Sequence, residues 1–507
     1  MATFSAIPGD DEVGPPGSRS SPTRGTRRHY SRGRKDVGIA GHASWSSSVV
    51  NLVNTIVGAG VLAMPLAMSH MGILLGIIVI AWAGITAAFG LYLQTRCARY
   101  LDRGSASFFA LSQITYPNAA IFFDGAIAIK CFGVGVSYLI IIGELMPQVV
   151  RAFNGRAGDV SFLVDRGFWI TAFMLVMIPL SFLRRLDSLK YTSIVALISI
   201  GYLVVLVVVH CIKGDTMEGR GEIRVIQWAG ALPTLSSFPV IVFAYTCHQN
   251  MFSILNEIKD NSHAQTTGAV ATSIGSAFFI YVLVAITGYL SFGDNVTGNI
   301  MGMYPASIAS TIGKAAIVVL VMFSFPLQVH PCRASVDAVL RWWPSTRHTS
   351  TESRGVSPPH ERIVPASTRP SINTNPDAMS DTRFAALTAA ILILSYAVAM
   401  TVSSLERVLA YVGSTGSTSI SFILPGLFYY KISAPDSIHH QRLLKEDDDQ
   451  NDGPTNEEEE RLLGGNSLNT RHGRRKLLRR LSLALAIYGV VVMIVCLVTN
   501  TFFILAH

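Results

Sequence analysis

The sequence predicts an all-α, polytopic membrane protein with eleven transmembrane helices, and three observations carry that expectation. Of 507 residues, 50% are apolar and only 14% are charged, where a water-soluble chain carries about a quarter charged residues. Mean hydropathy is +0.42. Apolar runs able to cross about 30 Å of hydrocarbon, roughly 20 residues each, recur eleven times, at 46–69, 71–95, 121–148, 167–183, 188–212, 232–255, 267–291, 306–330, 383–403, 407–430 and 480–505. The net charge of +8 does not point to nucleic acid, because Lys and Arg are scattered between the apolar runs instead of gathered on one basic domain.

Taken in order, residues 1–43 are polar and rich in Gly, Pro, Ser and Arg, with no apolar stretch beside a small-residue cleavage site. They read as a disordered cytoplasmic tail and not as a signal peptide. The transmembrane domain follows over 44–505, with two polar insertions. One, at 343–381, is rich in Ser, Thr, Pro and Arg; the other, at 431–478, joins acidic runs at 446–449 and 457–460 to a basic run at 471–480. Both are expected to be disordered cytoplasmic loops. With the N-terminus inside, 31 Lys and Arg fall on the cytoplasmic side and 7 on the other. Short cytoplasmic loops retain such charges, so the expected orientation is N-terminus cytoplasmic and C-terminus lumenal. Trp45, Trp169, Trp228, Trp342 and Trp343 lie near expected helix ends, as interfacial anchors do. The sequon at Asn295 falls on the non-cytoplasmic side. All six cysteines lie in or beside apolar segments, without disulfide or zinc spacing.

No phosphate-binding loop, GxSxG elbow, HExxH motif or metal-type Cys/His cluster is present, which argues against an enzyme, a cofactor or nucleotide-driven work. Two helices instead carry polar breaks. In the first, Asn54 and Thr55 precede Gly58, Ala59 and Gly60, with Pro65 beyond; each Gly costs about 1 kcal/mol in a helix relative to Ala. In the sixth, Pro239 is followed by Tyr245, Thr246, Cys247, His248, Gln249 and Asn250. Helices one and six are the first members of two five-helix halves. Interrupted helices at matching positions of an inverted five-plus-five repeat point to a secondary transporter's binding site. A half-helix N-terminus favours a carboxylate and freed carbonyls favour an ammonium or cation, so an amino acid zwitterion matches the pair. His248 is a candidate for proton coupling, with a neutral core histidine as the plainer reading. Lys130, Asp124 and Glu144 in the third helix are costly at bilayer depth.

Four motifs carry a resemblance: NLVNTIVGAGVLAMPLA at 51–67, FPVIVFAYTCHQNMFSILNEIKD at 238–260, FSFPLQVHPCRAS at 323–335 and YVGSTGSTSISFILPGLFYYK at 411–431. Together they resemble the amino acid/auxin permease family, and within it the fungal vacuolar amino acid transporters and the related animal sodium-coupled neutral amino acid transporters. The resemblance covers roughly 44–505 and implies eleven helices, the five-plus-five repeat and an amino acid substrate held by the unwound part of helix one and by helix six. In sodium-using members an Asn in helix one and a Thr in helix eight are cation ligands; Asn54 and Ser324 stand there. The CHQN run at 247–250 is closer to the vacuolar, proton-coupled branch.

The resemblance therefore implies a proton-coupled amino acid exporter of a vacuolar or lysosome-like membrane, with sodium as the other coupling ion and a plasma-membrane symporter or an amino acid sensor as alternatives. Glu458, Leu462 and Leu463 fit an acidic dileucine signal that sorting adaptors read from a cytoplasmic loop.

Overall fold

A computed structural model of the chain describes residues 41–153, 160–183, 190–345, 379–442 and 457–506. Residues 1–40 of the expected tail, 346–378 and 443–456 of the two polar loops lie outside the described residues. The helices run in the order α1 Trp45–Ile56, α2 Met64–Met71, α3 Ile73–Ala98, α4 Phe108–Thr115, α5 Ala120–Phe153, α6 Arg166–Ser181, α7 Lys190–Lys213, α8 Ala231–Tyr245, α9 His248–Glu257, α10 His263–Phe292, α11 Ile300–Met303, α12 Ile308–Ser345, α13 Asp381–Thr401, α14 Leu405–Val412, α15 Leu424–Ile432 and α16 Glu457–Ala506. A 3-10 turn, Ala59–Ala63, separates α1 from α2, and two π-helical turns, Gly413–Ser417 and Ser419–Ile423, separate α14 from α15.

Helical backbone overlies each expected apolar segment, and the molecule is a mostly helical polytopic membrane protein. Among the described residues, seven helices are long and apolar enough to cross a bilayer, or eight if α1 and the stretch Ala59–Met71 form one span bent by 46°. α12 extends past its expected end to Ser345, and α16 starts at Glu457, inside the segment expected to be a disordered loop. The side chains of Glu458, Leu462 and Leu463 lie outside the described residues.

Local chemistry sets the helix ends. Ser44, Ser107, Asp165, Ser380 and Ser404 each accept a backbone N–H of the first turn, of α1, α4, α6, α13 and α14 respectively, which relieves an orphan donor. α2 turns into α3 through Gly72 alone. Its φ of +76° suits glycine, and an added Cβ would stand 2.5 Å from the Gln227 carbonyl. The freed N–H groups of Ile73 and Leu74 are taken by the carbonyls of Arg224 and Val225, both at 3.0 Å.

α5 is the central helix. Of its apolar window 72% is buried, against 28–50% in the other long helices, and it packs most extensively against α12. The outer helices turn large apolar side chains outward, such as Ile85 on α3, Ile198 on α7, Phe279 on α10 and Ile393 on α13, as a hydrocarbon solvent requires.

The two ends of the bundle are tied differently. At one, Ala43 pairs with the strand-like end of α9: its N–H donates to Glu257 O at 2.8 Å and its carbonyl accepts from Lys259 N at 2.9 Å. Arg103 donates to the carbonyls of Ile258 and Lys259, at 3.2 and 2.6 Å. At the other, Asn299 donates to Glu144 at 3.0 Å, Lys314 to Gln148 and to Tyr304 O at 2.8 Å, and Arg166 to the carbonyls of Ala399 and Val402 at 2.6 and 2.8 Å. Arg224 and Asp294 form an ion pair.

Close helix contacts give a stability test. A Cβ on Gly426 of α15 would stand 2.5 Å from Ser482 O and 2.9 Å from Ala486 N of α16, whereas one on Gly201 of α7 meets nothing within 4 Å. Gly426→Ala is expected to destabilise the detergent-purified protein by about 1–3 kcal/mol, read as a lower melting temperature. Gly201→Ala should leave it unchanged or slightly raised.

Candidate functional site

The first break opens at the C-terminal end of α1. Val57 N–H still bonds to Val53 O at 2.8 Å, but Gly58 turns out of the helix at φ −127°, ψ −140°, and the chain rewinds as the 3-10 turn. Pro65 occupies the first turn of α2, where its missing N–H costs nothing. The two glycines do different work. Gly60 is a packing contact, since a Cβ there would lie 2.6 Å from Ala244 Cβ of α8. Gly58 is half-buried with nothing within 4 Å of an added Cβ, so it faces open space while Ile56, Val57, Ala59 and Gly60 around it are buried.

The second break is Thr246 and Cys247, between α8 and α9. Thr246 is extended at φ −79°, ψ 100°, and α9 restarts at His248. Tyr245, Thr246, Cys247 and His248 are all buried. Thr246 Oγ1 donates back to Val242 O at 2.7 Å and lies 3.0 Å from Ser421 Oγ, which is also 3.1 Å from His248 Nδ1. His248 Nε2 is 3.1 Å from Ala87 O. A carbonyl only accepts, so Nε2 carries a proton, and both ring nitrogens are engaged.

The breaks meet. Asn250 Nδ2 donates to Thr55 Oγ1 at 3.4 Å, and Thr55 Oγ1 donates to Asn51 O at 2.8 Å. Tyr281 of α10, fully buried, directs its hydroxyl at Ile56 O (2.7 Å), the last carbonyl of α1, and at Ala244 O (2.8 Å), the last but one of α8. Its ring stands edge-on to Tyr245 at 5.1 Å. Among the described residues, four of the thirteen buried side-chain polar atoms without a hydrogen-bond partner lie here: Asn54 Oδ1, the Tyr245 hydroxyl and both amide atoms of Gln249. Buried polar groups are nearly always satisfied, so such a cluster is suited to a polar ligand. The Tyr245 hydroxyl faces Gly84 of α3.

A third interrupted segment, expected as a regular helix over 407–430, is π-helical from Gly413 to Ile423 except at Thr418. It reaches both the second break, through Ser421, and Pro239 of α8, whose carbonyl would collide with any Cβ on Gly413. π-helical turns are rare and recur at functional sites. Ser324 lies half-buried on α12, and among the described residues no hydrogen bond joins it to Asn54. A cavity of about 200 Å³, lined by Ala63, His70, Ser237, Glu406 and Tyr411 among others, lies beside the rewound half of the first segment and the first half of the sixth. His70 Nδ1 and Ser237 Oγ are 2.5 Å apart across it.

Sequence reasoning missed Tyr281 and Ser421. Tyr281 is one aromatic in an apolar run and carried no signal; Ser421 lies in the Gly, Ser and Thr repetition of 413–421, whose low helix propensity was the available clue.

The chain matches a family model described as transmembrane amino acid transporter protein over residues 41–447. It is 42% identical over 475 residues to vacuolar amino acid transporter 5 of Schizosaccharomyces pombe, covering 93% of this chain and 97% of that one. It is 43% identical over 411 residues to vacuolar amino acid transporter 6 of Saccharomyces cerevisiae, covering 77% and 90%. Among solved structures, MhsT in complex with L-phenylalanine shares the fold, with a TM-score of 0.51 at 13% identity over 91% of this chain and 100% of that one. The relatives are transporters and not enzymes. With a family match that runs through both broken segments and the π-helical one, the chain belongs to the transmembrane amino acid transporter family.

Proposed function

We propose that this protein is a secondary active transporter of the vacuolar or lysosome-like membrane that moves amino acids from lumen to cytosol by alternating access, coupled to protons. The observation that carries the reading is the meeting of two interrupted segments that carry unsatisfied buried groups, Asn54 Oδ1 and the Gln249 amide, with open space at Gly58 in the first. The N-terminus of the 3-10 turn at Ala59 and Gly60 offers backbone N–H groups to the substrate carboxylate, and Asn54 Oδ1 and the Gln249 amide oxygen offer acceptors to its ammonium. Similarity to two vacuolar amino acid transporters supports the substrate class and the membrane.

In this reading the eleven segments span the bilayer as two inverted halves plus the last helix, with the N-terminus cytoplasmic and the C-terminus lumenal. The end tied by Ala43 is then the cytoplasmic one, and the cavity by His70 and Glu406 is on the lumenal side of the breaks. His248, held by Ser421 and Ala87, serves to fix the second break in its neutral form. Sorting to the vacuole is assigned to Glu458, Leu462 and Leu463 through an adaptor. A pH difference of one unit is worth about 1.4 kcal/mol per proton, so about 1.5 units sustain roughly thirtyfold accumulation at one proton per substrate.

The test is flux of labelled amino acids from acid-loaded proteoliposomes. Efflux should collapse with a protonophore and ignore replacement of sodium by potassium. Dependence on sodium would move the coupling to a cation site at Asn54 and Ser324, and binding without flux would make the protein a sensor.

Two variants probe the site itself. Gly58→Leu should fold, because nothing crowds the position, yet lower transport by at least about tenfold by filling the open space; near-normal flux would remove Gly58 from the site. Tyr281→Phe removes the hydroxyl that the buried Ala244 carbonyl accepts, while Ile56 O keeps the Gly58 N–H, and should cost about 1–3 kcal/mol of stability, read by thermal melting, together with a fall in transport.

A further inference from the structure

Lys130 lies ten residues into α5, about 15 Å from the helix start at 1.5 Å per residue, and is 4% exposed. Its ammonium is 5.9 Å from the centre of the Phe243 ring of α8, three residues before the second interruption at Thr246. The π-helical segment closes over its stem: a Cβ on Gly416 would stand 2.8 Å from Lys130 Cβ and from Lys130 N. Among the described residues no hydrogen bond or ion pair reaches the ammonium. The other buried Lys, Arg and Asp side chains among the described residues are partnered: Lys314 by Gln148, Arg333 by Thr388, Asp337 by Arg341 and Arg383. Lys130 is therefore an unpartnered cation in a water-poor interior, where a lone charge is costly.

Its titratable surroundings are sparse. Cys131 on its own helix and Cys247 at the second interruption are within Coulombic reach, and so is His248. The π-helical segment facing it contributes only Gly, Ser and Thr. With no fixed carboxylate to hold the charge, the ammonium is stable only when something else brings an anion.

The geometry points to Lys130 as the group that carries the coupled proton. This inference rests on the reading of the protein as a proton-coupled amino acid transporter. In the lumen-open state the neutral ε-amine takes a proton from hydronium, releasing water, and the incoming substrate carboxylate supplies the missing counter-charge. Once substrate leaves to the cytosol the ammonium gives the proton to water and returns to the amine. Proton and substrate then favour each other's binding by the same free energy. The Phe243 face adds a weaker, permanent attraction for the charged form.

The experiment uses full-length protein in proteoliposomes, wild type against Lys130→Gln and Lys130→Arg, with two readouts: accumulation driven by a pH gradient, and substrate exchange at equal pH on both sides. Both variants should exchange more slowly than wild type but measurably, while the gradient-driven accumulation ratio falls to about one. Exchange should also lose its dependence on pH, which a merely structural lysine would not change. Retained gradient-driven accumulation in either variant overturns the assignment, as does loss of exchange in a variant that melts like wild type. Should neither variant fold, wild type answers alone: with an indicator dye in weak buffer, substrate binding should take up one proton per molecule bound, and no uptake overturns the proposal. If wild-type accumulation itself ignores the pH gradient, the proton-coupled reading fails and Lys130 with it. If wild type responds and the variants respond equally, only Lys130 is at fault.

Discussion

The structure depends on a constraint that water would remove: in a hydrocarbon solvent every backbone carbonyl must find a donor inside the protein. A helix that stops halfway across violates this at once, and this chain stops twice at the same level. Tyr281 helps to meet both demands with one hydroxyl, placed between the carbonyl of Ile56, which also accepts the Gly58 N–H, and that of Ala244. The two half-helices are thereby tied to each other through α10. Gly60 against Ala244 brings the same two segments into direct contact, while Gly58 two residues earlier faces open space.

The chemistry of the gap follows from what is satisfied and what is not. Carbonyl ends are capped by Tyr281 and by Thr246 acting on Val242; His248 is committed to Ala87 and Ser421. Among the described residues the Asn54 carbonyl oxygen and the Gln249 amide are left without partners, and no hydrogen bond or ion pair holds the Lys130 ammonium. Rigid capping on one side and unmet polar valence on the other is the combination expected of a site that binds a small zwitterion and lets it go. The π-helical turns between α14 and α15 belong to the same design, because their looser winding lets Ser421 and Gly416 approach the second interruption and Lys130.

Much of this was legible in the residues. The apolar runs located helical backbone over each segment, because length and hydropathy are properties of the chain itself. Both interruptions were legible through Gly58, Gly60 and the polar run from Tyr245 to Asn250. Three things were not. Tyr281 is silent because its role depends on two carbonyls that are distant in sequence. The π-helical winding was hidden because Gly, Ser and Thr at 413–421 signal weak helix without saying which distortion results. Lys130 was visible as an expensive residue, but its lack of a counter-ion is a fact of packing. The glycine pair read as one motif and proved to be two: a contact at Gly60 and an opening at Gly58.

The central claim is that the two interruptions jointly form the substrate site. The most direct measurement is an experimental structure of the full chain in lipid nanodiscs with a saturating transported amino acid. The account predicts ligand density in the gap at Gly58, with its carboxylate at the N–H groups of Ala59 and Gly60 and its other end toward Asn54 and Gln249. Density elsewhere, such as in the apolar cavity of about 580 Å³ between α5 and α14 lined by Phe132, Val136, Arg407 and Tyr411, with the gap at Gly58 empty, would contradict it.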